Sequence, residues 1–243
     1  MKKVILLILF VFSLSLLAKE KFILYTYHNH SPFVNGEKSG LSYDLLEYLN
    51  KNSNSNFVFE LKVIPRARLN YILKPWINKE CEKTLKCDKN WMVLWVNHKW
   101  GFGKDSLSNF SWIPLFQDSN VIISASKNDF NYTKPEDLIG KKLAGMSGHR
   151  YLGIDDLVQA GKIKRINGNT EVENLKVVLS KRVDATLLPR SAFAYYQKTN
   201  ADFNSLFASK TSHQDYQRNI MTRPENKNLI KYLNTLHFSE VIK

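Results

Sequence analysis

Gly145-Met146-Ser147-Gly148-His149-Arg150-Tyr151 is the stretch of this chain best suited to hold a charged ligand. It falls between a predicted strand and a predicted helix. Unpaired N–H groups and the helix dipole converge at such a junction and attract anions. Ser147 adds a hydroxyl, and Arg150 adds a charge-assisted donor. The plain alternative is a turn that uses glycine for backbone freedom. His28 and His30 form a second group, two apart on a loop with no Cys or acid beside them. That pattern points away from a metal site, so no metal or cofactor is expected. Arg66 and Arg68 are two apart at a predicted helix start, so they point different ways. Trp100 stands between Lys99 and Gly101, outside any apolar run, and is a better ligand platform than Trp95 or Trp112. No Ser-centred elbow, HExxH, P-loop or dinucleotide motif occurs. The expected role is binding, not catalysis.

The compartment follows from the start of the chain. Lys2 and Lys3 precede the apolar run Val4 to Leu17, and Ala18 supplies a small residue before Lys19-Glu20-Lys21. This is the layout of a cleavable secretory signal over residues 1–18. The apolar run is shorter than the roughly 20 residues a membrane span needs. Export makes ATP, NAD and nucleic acid unsuitable partners. The net charge of +13 then reads either as a solvated cationic surface or as attraction of anionic ligands or of an anionic membrane surface. Hydrophobic residues make up 44% of the chain, enough for a real core. Cys81 and Cys87 are the two cysteines, and no His lies between Lys79 and Trp91. In an oxidising compartment the pair predicts a disulfide over a metal site.

The elements that must position these residues alternate between strand and helix. Phe22 to Tyr27, Phe57 to Ile64 and Trp91 to Val96 read as strands. Ser42 to Leu49, and Arg66 to Leu73 behind Pro65, read as helices. Further along, strands are predicted at Val121 to Ala125, Lys142 to Met146, Ala185 to Leu188 and Asn219 to Thr222. Helices are predicted at Thr133 to Leu138, Asp155 to Ala160, Glu171 to Leu179, Ser191 to Tyr196 and Asn226 to Leu236. Such alternation predicts two α/β lobes with largely parallel sheets.

Several short motifs, in order, resemble those of the family 3 extracellular solute-binding proteins, the amino-acid type of ABC-transporter binding protein. Pro32-Phe33 is similar to that family's "PPF" loop, and Gly40-Leu41-Ser42-Tyr43-Asp44-Leu45 to its "G-F-x-x-D-L". Pro65-Arg66-Ala67-Arg68 resembles "P-W-x-R", and Phe110-Ser111-Trp112-Ile113-Pro114-Leu115 resembles "F-S-x-P-Y". Asp137-Leu138-Ile139-Gly140-Lys141-Lys142 is similar to "D-L-x-G-K-K", and Arg182-Val183-Asp184-Ala185 resembles "G-R-V-D-A" with Lys181 in place of the glycine.

The resemblance implies a two-lobed type II periplasmic binding protein fold. Each lobe would be a mostly parallel sheet with flanking helices, and the ligand cleft would lie between them. Lobe 1 would run from 19 to 117 with 219–243 returning to it, and lobe 2 from 118 to 218. The protein would be a periplasmic monomer that hands its solute to an inner-membrane permease. A sensor subunit signalling to a membrane receptor, or a dehydratase-like enzyme on the same fold, are the alternatives. Family position brings Tyr27, His28, His30 and Phe33 to the cleft, favours Arg68 over Arg66, and adds Lys104, Ser147, Gly148, His149, Arg150 and Tyr151. Two departures shape the expected ligand. Lys104 stands where the family has a carboxylate-clamping arginine. Leu187-Leu188-Pro189-Arg190 carries no acid where the family binds an ammonium. An anionic or neutral polar solute is therefore expected. Mass spectrometry of exported protein should find a chain that has lost Met1 and carries no free thiol. An intact Met1 or two free thiols would contradict the export reading.

Overall fold

The computed structural model describes residues 19–54, 56–81, 87–125 and 131–242. The expected signal segment, 1–18, lies outside them. Among the described residues no helix is long and apolar enough to cross a membrane.

The first half builds one sheet. Strands β1 (Glu20–Thr26), β2 (Phe57–Val63) and β3 (Trp91–Val96) pair in parallel around β1. Helices α1 (Leu41–Asn52) and α2 (Arg66–Ile77) connect them. The continuous apolar run of β3 has a simple cause. Met92 and Leu94 pack into one core with Phe22, Leu45 and Phe59, while Trp91 and Val93 pack into another with Leu69 and Leu73. Both faces of the sheet are covered, so no position can be polar. The disulfide Cys81–Cys87 forms on the connection between α2 and β3.

After the short helix α3 (Ser106–Asn109), one strand does what the sequence does not suggest. β4 runs unbroken from Ser111 to Ser124, through Pro114, with a register shift between Pro114 and Phe116. Only its apolar end, Val121 to Ala125, is legible as strand. The middle, Leu115 to Asn120, is not legible because only Leu115 and Phe116 pack against the first-lobe core, and the polar residues Gln117 to Asn120 follow as the strand crosses between lobes. The second lobe follows. β5 (Lys142–Met146), β6 (Lys164–Gly168) and β7 (Ala185–Pro189) pair in parallel around β5. β6 is an edge strand with mostly exposed residues, which hides it from hydrophobic periodicity. Helices α4 (Ile154–Gln159), α5 (Glu171–Leu179) and α6 (Arg190–Thr199) cover the sheet. Residues Pro135–Leu138 form a 3-10 turn, shorter than the helix expected there. β8 (Phe207–Ala208) adds to β4. β9 (Gln214–Thr222) then returns antiparallel along β4 and onto β3, and α7 (Lys227–Leu233) packs on the first lobe.

The strand order is β2-β1-β3-β9-β4-β7-β5-β6. Two α/β halves are thus joined by the antiparallel ribbon β4–β9, in a two-lobed arrangement. The disulfide closes a short loop, so its loss should cost only about 2 kcal/mol in the chain-entropy account. Urea denaturation with and without reductant checks this; a loss of the whole transition on reduction would contradict it.

Candidate functional site

The parallel strands of both lobes end at the interlobe face, which is where open α/β sheets bind ligands. Its floor is the β4–β9 ribbon. Phe116 and Asp118 of β4 lie across from Arg218 and Tyr216 of β9. Arg218 is 1% exposed and donates from Nε to Asp118 Oδ2 at 2.7 Å. Its other nitrogens donate to the Trp95 carbonyl at 3.2 Å and to the Tyr216 hydroxyl at 3.3 Å. The guanidinium lies 4.5 Å from the Phe33 ring centre, 5.2 Å from Tyr216 and 5.5 Å from Trp100. Such contacts hold a desolvated cation.

The backbone is shaped to reach it. Trp95 adopts φ +66 where the β3–β9 register shifts. A left-handed tryptophan is strained and persists only where its surroundings fix it. Here its indole N–H donates to Ser42 Oγ at 2.9 Å, and its carbonyl receives Arg218. Asn219 and Asn97 side chains donate to the Val96 and Gln217 carbonyls that the bulge frees. Asp118 serves the second lobe as well. It accepts the Ser191 hydroxyl at 2.7 Å and the Ser191 N–H at 3.2 Å, at the start of α6.

Around this pair the first lobe contributes an aromatic cluster. His28 stacks on Tyr27, with ring centres 4.3 Å apart, and also meets Phe33 and Trp100. Arg66 lies 4.7 Å over Tyr27 and donates to the Trp100 carbonyl. Burial raises the Tyr27 pKa against the opposing charges of Arg66 and Arg218. The second lobe answers with Glu171, buried at the first position of α5. It accepts the Tyr196 hydroxyl at 2.9 Å and lies 3.4 Å from His30 Nδ1. Burial, then the Glu171 charge and hydrogen bond, raise the Tyr196 pKa.

A cavity of about 740 Å³ also opens between the lobes. Leu41 and Asp44 at the start of α1 form one wall, and Arg190, Tyr195 and Lys198 of α6 the other. Phe116 to Ser119 form its base, so Asp118 touches both this space and Arg218.

The expected site residues divide. Tyr27, His28, His30 and Trp100 gather at the interlobe face. Phe33 is there too, but fully buried beneath Arg218 and within the core. The arginine choice is corrected. Arg66 turns inward, while Arg68 is exposed over Tyr71, at 5.2 Å. Their two-residue spacing separates them as expected, but the inward member is the first. Lys104 and Arg150 are exposed. Ser147 donates to the Gly168 carbonyl at 3.1 Å, and Gly148 takes φ +76 in the turn. His149 sits at the exposed rim, its pKa lowered by lost hydration against the attraction of Glu171. Tyr151 is a structural residue: it is buried, its hydroxyl accepts the Met146 N–H at 2.9 Å, and Arg165 lies over its ring at 4.6 Å.

Three residues escaped the sequence reading, Asp118, Glu171 and Arg218, and Arg66 was weighed there but passed over for Arg68. The buried interlobe acids Glu171 and Asp118 come from α5 and β4, not from the end of β7. Glu171 had a signal. Thr170 and Glu173 form a capping box, which marks a helix start and hence the interlobe end of a strand. Asp118 and Arg218 lie a hundred residues apart and had none.

Removing one partner of a buried ion pair leaves an unpaired buried charge and costs about 3 to 5 kcal/mol. Asp118→Asn and Arg218→Met should each show a loss of this size in urea denaturation, and Arg68→Met should show none. Equal stability of all three would contradict the central place given to the pair.

No protein-family model and no curated protein sequence matches the chain. Solved structures do. The arginine-bound form of a truncated arginine-binding protein from T. maritima is 17% identical, with a TM-score of 0.56, over 92% of this chain and 96% of that one. The ligand-binding core of GluR0, in complex with L-glutamate, gives 16% identity and a TM-score of 0.60 over 92% and 94%. The L-cystine solute receptor of Neisseria gonorrhoeae, in an unliganded open conformation, gives 17% and 0.58 over 90% and 86%. Likenesses this distant in sequence, spanning nearly the whole of both chains, show architecture: the chain has the type II periplasmic binding protein fold.

Proposed function

We propose that the protein is an exported solute-binding protein that captures a small polar solute between its lobes for a membrane permease. The observation that carries this reading is the interlobe cavity of about 740 Å³, walled by both lobes and based on the β4–β9 ribbon. Its size falls within the range of small-molecule sites. The lobe boundaries we assign are 19–117 with 219–243, and 118–218, with the hinge at the ribbon's centre. Hinge closure around a ligand is the ordinary motion of two lobes joined in this way. The structural relatives are described with arginine, L-glutamate and L-cystine, all amino acids. The export assignment rests on the pattern of residues 1–18.

The solute we propose bears a carboxylate or a comparable acceptor group. The support is a comparison of spoken-for and spare groups. Asp118 is held by Arg218 and Ser191, and Glu171 by His30 and Tyr196. Neither of these two acids is left for a ligand ammonium; the other acids lining the cavity, Asp44 and Asp215, share that lining with Arg190 and Lys198. His28 Nε2 is buried and has no hydrogen-bond partner among the described residues. Arg66 lies half-buried over Tyr27, with Nε on Asn70 Oδ1 and one terminal nitrogen on the Trp100 carbonyl, and its other terminal nitrogen adds positive charge to the cluster. An acceptor-bearing solute reaching the aromatic cluster would satisfy His28 Nε2, which lies outside the lining of the cavity, while in the cavity itself Arg190 and Lys198 offer cationic partners.

A thermal-shift screen of amino acids, dicarboxylates and cationic amines tests the reading. A ligand at 100 times its Kd should add about 2.7 kcal/mol of stability. Small-angle scattering should show a smaller radius of gyration with that ligand. Arg66→Ala should weaken binding by roughly 1.5 to 3 kcal/mol, the range for a hydrogen bond to a charged group. Arg68→Ala should leave affinity unchanged. Preference for a cationic amine, or binding indifferent to Arg66, would overturn the charge assignment. A screen without any stabilising solute would overturn the binding role.

A further inference from the structure

Two imidazoles meet end to end at the interlobe face. His28 Nδ1 lies 3.4 Å from His30 Nε2. His30 Nδ1 lies 2.9 Å from the Ser31 carbonyl oxygen. A carbonyl only accepts, so this nitrogen carries a hydrogen whether His30 is charged or neutral. The same nitrogen is 3.4 Å from Glu171 Oε2 of the opposite lobe. At the far end of the pair, His28 Nε2 is the buried atom without a partner among the described residues, in a ring whose residue is 8% exposed.

Hydrogen-bond chemistry then couples the rings. A neutral His30 has a bare Nε2, which accepts from His28 Nδ1–H and leaves His28 Nε2 bare. A protonated His30 donates from Nε2 to His28 Nδ1, which must now be bare, so the His28 hydrogen sits on Nε2. The balance is one proton. It enters at His28 Nε2, and the proton formerly on His28 Nδ1 passes to His30 Nε2. His28 stays neutral throughout, but its outer nitrogen changes from acceptor to donor.

We propose that His28 is a specificity-determining residue of the interlobe site, with its Nε2 set as a donor by His30 when Glu171 closes on it from the other lobe. This rests on the solute-binding reading above. The closed form then selects a solute that offers an acceptor, such as a carboxylate or carbonyl oxygen, at that point. Opening the lobes withdraws Glu171, lets His30 lose its proton and returns His28 Nε2 to an acceptor, which repels the same group. Binding and proton uptake are therefore linked.

The surrounding charges fit this assignment. His30 is faced by Glu171 from α5, by the Ser31 carbonyl and by Arg218 from β9. Burial opposes its charge, but the hydrogen bond and charge of Glu171, with Ser31, outweigh burial and Arg218, and its pKa is raised. His28 is faced by Arg218, His30, Arg66 from α2 and His149 from the loop after β5. Burial first, and then these cations, lower its pKa well below the ordinary value. A raised His30 pKa means that the link is complete below the ordinary value of 6.5 and is lost as pH rises through the raised one.

Nitrogen-15 NMR of histidine-labelled full-length mature protein, titrated between about pH 5 and pH 8, reads both rings directly. The expected result is a single midpoint shared by His30 protonation and the His28 change from Nδ1–H to Nε2–H. Glu171→Gln keeps an acceptor for Tyr196 and should shift that shared midpoint downward. His30→Gln should abolish the His28 change, which gives a second variant if Glu171→Gln fails to fold. A His28 tautomer constant across the titration, or a midpoint indifferent to Glu171, overturns the proposal even if solutes bind in the thermal screen. Coupled titration in a protein that binds no solute overturns the solute-binding reading instead, and with it the specificity assigned to His28.

Discussion

The ion pair between Asp118 and Arg218 is the interaction on which the rest of this structure depends. Both side chains are almost wholly removed from water. A charge in that position is tolerable only when it is paired and its remaining hydrogen-bonding groups are satisfied. Arg218 therefore fixes three things at once: a carboxylate on the neighbouring strand, a strained carbonyl at Trp95, and the aromatic rings of Phe33 and Tyr216. Asp118 carries the constraint into the second lobe through Ser191 at the start of α6. A hydrophobic pair could fill the same volume, and replacing such pairs is often neutral for stability. The ionic pair adds direction. It specifies which strands cross, in which register, and where α6 begins.

Local features serve that junction. The loop from His30 to Val34 folds back tightly over α1. A Cβ at Gly40, whose φ is +102, would lie 2.9 Å from the Pro32 and Phe33 carbonyl oxygens, so the approach requires glycine. That approach seats Phe33 beneath Arg218 and leaves His30 facing the other lobe. Glu171 meets it there because the Thr170–Glu173 capping box starts α5 at the interlobe end of β6. The lobes thus touch through a titratable contact, His30 to Glu171, beside a permanently charged one, Asp118 to Arg218. The two contacts suit different tasks. One holds the crossing strands together, and the other joins a first-lobe loop to the start of α5.

Much of the lobe architecture was legible in the sequence. The run Trp91 to Val96 could only be a strand covered on both faces, and it packs into two separate cores. Glu171 to Leu179 coincides with α5, because a capping box and helical spacing agree there. The crossing strands were half hidden. β4 shows its apolar end but not Leu115 to Asn120, and β9 shows Asn219 to Thr222 but not Gln214 to Arg218. Those segments are mostly polar because they cross between the lobes, with only Leu115 and Phe116 packed on a core, so periodicity passes over them.

The site was less legible. Arg66 and Arg68 were correctly separated by their spacing, but the choice between them depends on which one finds partners in the fold: Arg66 lies over Tyr27 and Phe102, and Arg68 over the exposed Tyr71. The sequence by itself determined the alternation of strands and helices and the adjacency of Tyr27, His28 and His30 after the first strand, because these follow from local spacing and solvent contact. Only the tertiary structure decided that Asp118 meets Arg218, that Arg66 turns inward, and that Glu171 faces His30. Each of these is a contact between elements distant in the chain. Its energy comes from shared burial, which no local pattern of residues encodes.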